Sequence, residues 1–510
     1  MIARVQSYAL QGLDGVAVMV EADVPKGLPS YDIVGLPDTA VKESKERVKS
    51  AVRNSALCFP THRITVNLAP AYVKKEGSAF DLPVAIAILT AYGEIEKVDE
   101  KTVLLGELAL SGELRPVAGV LPLLIAARNK GFEKFIVPFE NAKEASFIHG
   151  VEVYAAKNLQ ETVAHLKGEN PLSPVEKMEY EPNDNENKSS NDLAFVKGQP
   201  IAKRALEVAV AGGHNVLFVG PPGSGKTMLA RALPTVLPSM SFDEALEITK
   251  IHSVAGTLGE EGIVKERPFR SPHHTASTVA LCGGGSKVKP GEISLAHGGV
   301  LFLDELPEYT RSSLESLRQP LEDGVITISR AGGTITYPAS FTLCASMNPC
   351  PCGNYGSKKR RCVCTPNDIK RYRAKISGPL LDRIDIQVEV DGVEYDDLVS
   401  VANEESSAQV KARAEGARKI QRARFEGGRC KTNAEMGEAE TRKYCALTPA
   451  CEAVLKEAFE SLHLSARARA RILKVARTIA DLELCENIEE EHLYEAISYR
   501  TYGAGLGDES

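Results

Sequence analysis

The sequence lacks the long apolar runs of a membrane protein. No stretch approaches ~18 uncharged apolar residues, and the N-terminus lacks the apolar segment of a secretory signal. These absences predict a cytoplasmic protein without a membrane span. In that compartment the 11 cysteines are not expected to form disulfides.

The sequence also lacks an excess of positive charge. It carries 61 Lys and Arg residues against 68 Asp and Glu residues, which gives a formal net charge of −7. No global basic field therefore attracts nucleic acid, and any such binding must come from local basic patches. The hydrophobic fraction of 43% is that of a globular protein, and 510 residues are too many for one core.

No internal repeat is present, and composition divides the chain instead. Residues 1–167 mix β-type runs with amphipathic helical runs, whereas residues 168–192 are rich in Glu, Asn, Asp and Ser and predict a flexible acidic linker. Residues 193–390 predict an α/β core, residues 391–505 a helical domain, and residues 506–510 a disordered tail. The predicted fold class is that of an α/β multidomain protein.

A glycine-rich loop lies between an apolar β-type stretch, residues 215–219, and a helical stretch, residues 228–232. This order suits a phosphate-binding loop, because glycines let backbone N–H groups converge on phosphate oxygens. Lys226 would reach the β- and γ-phosphates of ATP, and the Thr227 hydroxyl would hold Mg²⁺. The predicted ATP-binding residues are Gly220, Pro221, Pro222, Gly223, Ser224, Gly225, Lys226 and Thr227.

Two later β-type runs predict the catalytic groups. The first is followed by Asp304, which would bind Mg²⁺ beside Thr227, and by Glu305, which would polarise the attacking water. The second ends at Asn348, whose amide could hold that water or sense the γ-phosphate. Because Asn348 precedes Pro349, simple turn chemistry is the alternative.

Four further stretches carry a family resemblance: residues 35–44, 267–277, 290–297 and 301–308. With the glycine-rich loop they resemble the AAA+ ATPases, within them the magnesium-chelatase-like branch, and most closely the ComM/YifB family of bacterial competence-related proteins. The resemblance covers nearly the whole chain. It implies an ATP- and Mg²⁺-dependent hexameric ring with a helical lid, and it places Gln199 near the adenine.

The resemblance also implies arginines that complete the active site. Arg383 resembles the arginine finger, which reaches the ATP of a neighbouring subunit and stabilises the transferring phosphoryl group. The alternative is that Arg383 only pairs with Asp382 or Asp385 on the surface. Arg467 and Arg471 share one face of the helix that resembles the sensor-2 helix, and one of them is expected to contact the γ-phosphate of its own subunit.

Residues 66–165 resemble the proteolytic domain of Lon proteases, which has an α+β fold like domain 2 of ribosomal protein S5. A Lon protease needs a Ser nucleophile and a Lys base within hydrogen-bond reach. Here the nucleophile position falls on Ala79, beside Ser78, and the base position falls on Leu121. The domain is therefore expected to serve in assembly or docking rather than in proteolysis, with Ser78 as a capping or turn residue.

Two Cys-x-Cys pairs, nine residues apart, follow Asn348 within an insert that spans residues 349–365. Four thiolates could close a tetrahedral zinc site and staple a loop that is too small for its own core. The single-residue spacing within each pair is tighter than usual, and buried structural thiols or a redox pair are the alternatives. The predicted ligands are Cys350, Cys352, Cys362 and Cys364.

Basic residues in three loops are candidate phosphate contacts. Residues 325–337 predict a β-hairpin like the pre-sensor hairpin of hexameric helicases, and residues 283–291 resemble the helix-2 insert of the same branch. In a ring these elements could line a channel and track a phosphate backbone, while ordinary exposed loops are the alternative. The candidates are Lys287, Lys289, Arg330, Lys358, Lys359, Arg360 and Arg361.

These features together predict an ATP-driven hexameric motor that acts on single-stranded or branched DNA. The family resemblance implies a helicase or branch-migration activity that promotes recombination or the integration of transforming DNA. A magnesium-chelatase-type ATPase that remodels a protein partner is the alternative. An ATP-dependent Lon-like protease is less expected, because Leu121 replaces the base.

Overall fold

The computed structural model describes residues 2–183, 191–285, 288–330, 333–357, 360–392 and 404–500. The chain forms two compact units, one of residues 1–181 with 242–265 and the other of residues 182–241 with 266–510. Residues 242–265 thus belong to the N-terminal unit, although they lie inside the predicted ATPase core in sequence. The domain boundaries that composition suggests stay a prediction.

The N-terminal unit is built on a mixed sheet of seven strands. Strand Asp14–Asp23 pairs antiparallel with both of its neighbours, and the other strand pairs are parallel. The spatial order is Ser30–Val34, Arg63–Ala69, Asp14–Asp23, Ile2–Gln11, Thr102–Leu104, Lys134–Pro138 and Glu152–Ala156. A small ribbon pairs Glu107–Leu108 with Leu114–Arg115.

The helix Asp81–Tyr92 lies in the middle of this unit's core. Its sequence is apolar on nearly every side, which suits a helix that is covered all round, and its residues from Asp81 to Ala91 are all buried. The left-handed Gly93 ends it. The other helices are Thr39–Asn54, Val120–Asn129, Ala142–Ser146, Leu159–Lys167 and Phe242–Ala255, with a 3₁₀ turn at Phe139–Asn141.

Helix Phe242–Ala255 is anchored to the N-terminal unit by buried polar contacts. The Ser253 hydroxyl accepts a hydrogen bond from the Gly119 N–H at 3.1 Å and donates one to the Glu144 carboxylate. That carboxylate also accepts from the Leu121 N–H at 2.9 Å. Burial raises the pKa of Glu144. These bonds tie the helix to the segment in which a Lon protease would carry its base.

Part of the predicted flexible linker is held against the same unit. The Val175 N–H donates to the Val153 carbonyl at 2.7 Å, and the Met178 N–H donates to the Ser146 carbonyl at 3.3 Å. Strand Glu152–Ala156 lies at the edge of the sheet and therefore offers backbone groups for such bonds. Composition alone does not reveal this pairing.

The second unit contains a parallel sheet of five strands. The three central strands are buried throughout and mostly apolar, as expected for a parallel sheet that is covered on both faces. The spatial order is Phe269–Arg270, Val300–Leu303, Thr342–Met347, Val216–Val219 and Ile386–Glu389. Because the strands are parallel, their carboxyl ends form one edge, where ligands bind in such sheets.

Helices and two hairpins complete this part of the second unit. The hairpins pair Gly283–Gly284 with Lys289–Pro290 and Val325–Arg330 with Gly333–Pro338. The second of them is the hairpin that the sequence predicts. The helices are Pro200–Gly212, Lys226–Val236, Thr278–Cys282, Glu292–Leu295, Arg311–Glu315, Arg318–Asp323, Pro366–Arg373 and Gly378–Leu381, with 3₁₀ turns at Leu193–Phe195 and Leu306–Glu308.

The C-terminal part of the second unit is helical and shares a hydrophobic core with the sheet. Its helices are Ser407–Arg424, Glu438–Tyr444, Pro449–Ser461, Ala466–Leu482 and Glu490–Ser498, with a 3₁₀ turn at Asn433–Glu435. Among the described residues, no helix is both long and apolar enough to span a membrane. The predicted α/β multidomain fold class, with an α+β N-terminal domain and a helical C-terminal domain, is confirmed.

Candidate nucleotide-binding site

The glycine-rich loop, residues 220–227, follows the carboxyl end of the central strand Val216–Val219. A Cβ atom at Gly220 would lie 2.1 Å from the Val390 carbonyl oxygen, so only glycine fits there. Gly225 has a φ of 90°, a left-handed conformation that glycine adopts without strain. The helix Lys226–Val236 begins directly after it. The loop therefore has the strand–loop–helix geometry that phosphate binding needs.

The Lys226 side chain is folded into this loop. Its Nζ donates hydrogen bonds to the carbonyl oxygens of Gly220 at 2.7 Å and Pro221 at 2.9 Å. Burial lowers the pKa of the Lys226 ammonium to about 8. A phosphate anion near Nζ would favour the charged form. The ammonium is thus positioned to exchange carbonyl partners for phosphate oxygens.

Asp304 lies between two hydroxyl donors at the same edge of the sheet. The Thr227 Oγ1 donates to Asp304 Oδ2 at 3.3 Å, and the Ser346 hydroxyl donates to Asp304 Oδ1. Hydroxyl and carboxylate oxygens are the ligands that Mg²⁺ prefers. Thr227 and Asp304 therefore fit the predicted magnesium site. The sequence analysis missed Ser346, whose only signal is a hydroxyl near the carboxyl end of a buried, mostly apolar strand.

Glu305 directly follows Asp304 at the carboxyl end of strand Val300–Leu303, is exposed and has a left-handed φ of 52°. Its carboxylate Oε2 lies 3.7 Å from Nδ1 of His274. The His274 ring contacts the His273 ring, with centroids 4.1 Å apart. The sequence analysis assigned no role to His274, although it lies in the family stretch 267–277. The structure places it beside the predicted general base.

Asn348 and Gln199 also lie at this edge of the sheet. The Asn348 Oδ1 accepts a hydrogen bond from Lys226 Nζ at 3.4 Å. The Gln199 Nε2 donates to the carbonyl oxygen of Asp391, just beyond strand Ile386–Glu389. Asn348 is therefore within reach of the loop lysine, while the contact of Gln199 with adenine stays a prediction.

The predicted arginines lie elsewhere within this single chain. Arg383 is buried, donates to the Pro379 carbonyl at 2.7 Å and pairs with Glu322. It does not pair with Asp382 or Asp385, the partners in the alternative interpretation. A finger role would require the guanidinium to leave Glu322, and that role stays a prediction.

The two sensor-2 candidates differ in their surroundings. Arg471 forms an ion pair with Asp385 at 2.9 Å, and Asp385 directly precedes strand Ile386–Glu389. That is the amino end of the strand, opposite the edge at which the glycine-rich loop lies. Arg467 is exposed in the first turn of helix Ala466–Leu482. Contact of either arginine with the γ-phosphate remains a prediction.

The four predicted metal ligands are brought together. The Sγ atoms of Cys350, Cys352, Cys362 and Cys364 all lie within 4.8 Å of one another. Arg360 and Arg361, from the basic run between the two pairs, are exposed. Lys358 and Lys359 lie outside the described residues. The cysteine cluster is thus a candidate site for a thiophilic metal ion.

Three of the candidate DNA contacts, Lys287, Lys289 and Arg330, belong to the two hairpin segments. Lys289 is exposed on strand Lys289–Pro290, and Arg330 ends the strand Val325–Arg330. The Tyr337 hydroxyl, on the second hairpin, donates to the Val288 carbonyl at 2.8 Å and so links the two hairpins. Lys287 and the side chain of Arg330 lie outside the described residues.

The Lon-like region does not assemble a Ser–Lys pair from its described residues. The Ser78 hydroxyl donates to the Glu107 carboxylate, and the buried Lys75 donates to the Pro70 carbonyl. Ala79 and Leu121 belong to one hydrophobic cluster. Apolar packing therefore occupies the place where the resemblance puts nucleophile and base.

Comparison with known proteins agrees with this geometry. The chain matches the family model "Magnesium chelatase, subunit ChlI" over residues 192–398, its C-terminal model over residues 404–500, and "Subunit ChlI of Mg-chelatase" over residues 20–141. It is 44% identical to the competence protein ComM of Haemophilus influenzae over 502 residues, which is 98% of this chain and 97% of ComM.

Two further relatives extend the comparison. The protein YifB of Salmonella typhimurium is also 44% identical over 502 residues, with 98% of this chain and 97% of YifB covered. Lon protease 2 of Bacillus subtilis is 30% identical over 126 residues, which is 24% of this chain and 22% of that protease. The chain therefore belongs to the ComM/YifB family of magnesium-chelatase-like AAA+ ATPases, with a Lon-like domain at its N-terminus.

Proposed function

We propose that the chain is an ATP-driven hexameric motor that acts on single-stranded or branched DNA in the cytoplasm, as a helicase or branch-migration enzyme. ATP and Mg²⁺ would be its cofactors, and zinc the metal of the cysteine cluster. The observation that carries the proposal is the meeting of Lys226, Thr227, Asp304 and Asn348 at one edge of a parallel sheet. Those groups bind, polarise and sense a nucleoside triphosphate.

DNA as the substrate is supported by the two linked hairpins. Tyr337 joins the hairpin whose first strand ends at Arg330 to the segment that carries the exposed Lys289. A movement of one hairpin on ATP turnover would therefore move the other. The relative from Haemophilus influenzae is named a competence protein, which supports a role in the integration of transforming DNA.

The hexameric ring would supply the groups that one chain leaves incomplete. Arg383 would leave Glu322 and enter the nucleotide site of the next subunit, where its guanidinium would stabilise the transferring phosphoryl group. Hydrolysis would then depend on assembly. In the same ring the hairpins of all subunits would face the DNA.

The proposal is tested by the ATPase rate of the full-length protein with single-stranded, duplex and branched DNA at several salt concentrations. We expect stimulation that falls steeply with salt, because bound phosphates release counterions. The triple variant Lys287→Ala, Lys289→Ala, Arg330→Ala should lose the DNA-dependent increase. The double variant Lys97→Ala, Lys456→Ala removes exposed lysines elsewhere and should keep it.

A second candidate is a magnesium-chelatase-type ATPase that remodels a protein partner. The match to the ChlI family models favours it. In that case none of the three DNAs would raise the ATPase rate, and a porphyrin-metallating partner would raise it instead. Stimulation by DNA that survives the triple substitution would leave the motor in place but reject the hairpins as its DNA contacts.

A further inference from the structure

The cysteine cluster has the spacing of a metal centre. The Sγ atom of Cys350 lies 3.4 Å from the Sγ of Cys352 and 3.7 Å from the Sγ of Cys362. The Sγ atoms of Cys352 and Cys362 are 3.6 Å apart. Zinc–sulfur bonds of about 2.3 Å in a tetrahedron put neighbouring sulfurs about 3.8 Å apart. A disulfide would instead need about 2.05 Å. The observed distances therefore fit four thiolates around one ion.

The chemical type of the four ligands limits which metal ions the cluster can bind. All four members of the cluster are cysteines, and neither a histidine nor a carboxylate belongs to it. Thiolates select zinc, copper(I) or iron over magnesium and calcium. The Tyr355 N–H donates to Cys350 Sγ at 3.3 Å, which is the kind of outer contact that orients a metal ligand. A tetrahedral arrangement of four thiolates is that of structural zinc sites.

The turn that connects the cluster lies directly on the nucleotide-binding loop. Gly353 follows Cys352 and has a left-handed φ of 78°. A methyl group placed on Gly353 would come within 2.5 Å of Pro222 Cδ and 3.9 Å of Asn348 Cγ. The turn that follows Cys352 therefore lies against Pro222 of the loop and close to Asn348.

Both ends of the insert are fixed. Asn348 follows the buried strand Thr342–Met347. At the other end, Thr365 begins helix Pro366–Arg373 with a capping box, and the Arg373 Nε donates to the Pro349 carbonyl at 3.2 Å. Between these ends the insert is too short for a hydrophobic core, so a metal ion is the element that can hold its fold.

We propose that Cys350, Cys352, Cys362 and Cys364 bind one zinc ion, and that this centre presses Gly353 against Pro222 and so fixes the nucleotide-binding loop. The support of the nucleotide-binding loop rests on the proposed use of ATP, whereas the binding of zinc does not. Loss of zinc would release the turn and weaken ATP binding, although no cysteine touches the nucleotide.

The test uses the purified full-length protein without DNA, so its outcome is independent of the DNA motor. Elemental analysis should find about one zinc per chain, the stoichiometry of a closed four-thiolate site. The variant Cys362→Ser, Cys364→Ser should lose the zinc and bind a fluorescent ATP analogue about tenfold more weakly, the loss typical when support around a site is removed. Cys58→Ser, at an exposed cysteine outside the cluster, should keep both.

Two further measurements separate support of the loop from general unfolding. Gly353→Ala should keep the zinc yet weaken binding of the analogue, because the added methyl group clashes with Pro222 and strains the left-handed backbone of the turn. Wild-type protein stripped of zinc by a mercurial and a chelator should regain analogue affinity when the thiols are restored and zinc returns. A protein isolated without zinc, or one whose affinity for the analogue is unchanged after zinc removal, would overturn the proposal.

Discussion

At the residue scale, Asp304 depends on a neighbour that is not itself a ligand. Ser346 donates a hydrogen bond to one carboxylate oxygen while Thr227 donates to the other. Ser346→Ala removes the donor that holds the Asp304 carboxylate at the Mg²⁺ position. We expect the Mg²⁺ concentration for half-maximal ATPase activity to rise about 10- to 100-fold, as when outer partners of metal ligands are lost.

A Mg²⁺ titration of the ATPase rate checks this expectation. Ser340→Ala is the matched control, because Ser340 is exposed and lies just before the same strand, Thr342–Met347. Nucleotide binding without Mg²⁺ should be equal in all three proteins. An unchanged Mg²⁺ requirement in Ser346→Ala would show that the Thr227 hydroxyl and the Glu305 N–H orient Asp304 without Ser346.

His274 gives a second prediction at this scale. Its Nδ1 lies 3.7 Å from the Glu305 carboxylate, so we interpret it as a residue that positions the general base. His274→Ala should lower kcat by about two- to fivefold, the size of one weak surface contact, with the KM for ATP unchanged. His149→Ala is the control, since His149 is an exposed histidine in the N-terminal unit. Equal kcat values for both variants would contradict the assignment.

Sequence reasoning identified functional residues that directly follow a strand. It missed residues whose side chains contact those groups from another strand or loop. Asp304 and Asn348 could be predicted because the carboxyl ends of parallel strands meet at one edge. Ser346 and His274 could not, because their contacts depend on the register of neighbouring strands and on the path of a loop. Arg383 shows a further limit, since its partner Glu322 is 61 residues away in sequence.

At the scale of elements, helix Phe242–Ala255 shows why boundaries drawn from sequence can differ from packing. It follows the helix of the glycine-rich loop in sequence, yet it packs in the N-terminal unit through Ser253 and Glu144. An amphipathic pattern predicts a helix and its apolar face, but it does not show which part of the protein packs against that face. The chain therefore passes from the second unit to the first and back, which a linear assignment of domains does not anticipate.

The junction of the central strand with the C-terminal helices predicts a pH dependence of stability. His214 is buried, with Nε2 2.8 Å from the Thr478 hydroxyl and Nδ1 3.3 Å from Asp385. Burial lowers the pKa of His214, and the positive charges of Lys474 and Arg471 lower it further. The hydrogen bond and negative charge of Asp385 raise it, but the pKa remains below its usual value. Although burial alone would raise the pKa of Asp385, Arg471 and His214 hold it below its usual range, so Asp385 stays ionised near neutral pH.

The sign of the dependence follows from the lowered pKa of His214. In the unfolded chain the imidazole titrates near ~6.5, whereas the folded protein keeps it neutral to lower pH. The contribution to stability is therefore complete above about pH 6.5 and is lost as the pH falls through the folded-state value. Thermal unfolding between pH 8 and pH 5 should show a shallower decline for His214→Gln than for the wild type. His149→Gln, at an exposed histidine, should keep the wild-type slope.

At the scale of the whole molecule, the open question is whether one chain holds a complete active site. Within the described residues Arg383 is buried and pairs with Glu322. If Arg383 only holds Glu322, then Glu322→Gln and Arg383→Ala should lower the ATPase rate to the same degree. If Arg383 is a finger, Arg383→Ala should cost about 10³-fold or more and Glu322→Gln far less.

Mixing two inactive variants decides whether the finger acts between subunits. Lys226→Ala destroys the loop but leaves Arg383 to be donated, and Arg383→Ala destroys the finger but leaves the loop intact. In a randomly mixed ring with head-to-tail interfaces, about a quarter of the interfaces combine an intact loop with an intact finger. The mixture should therefore regain ATPase activity that neither variant has alone, while each variant mixed with itself should not. Activity that stays absent in a mixture shown to form joint assemblies would mean that Arg383 acts within its own chain.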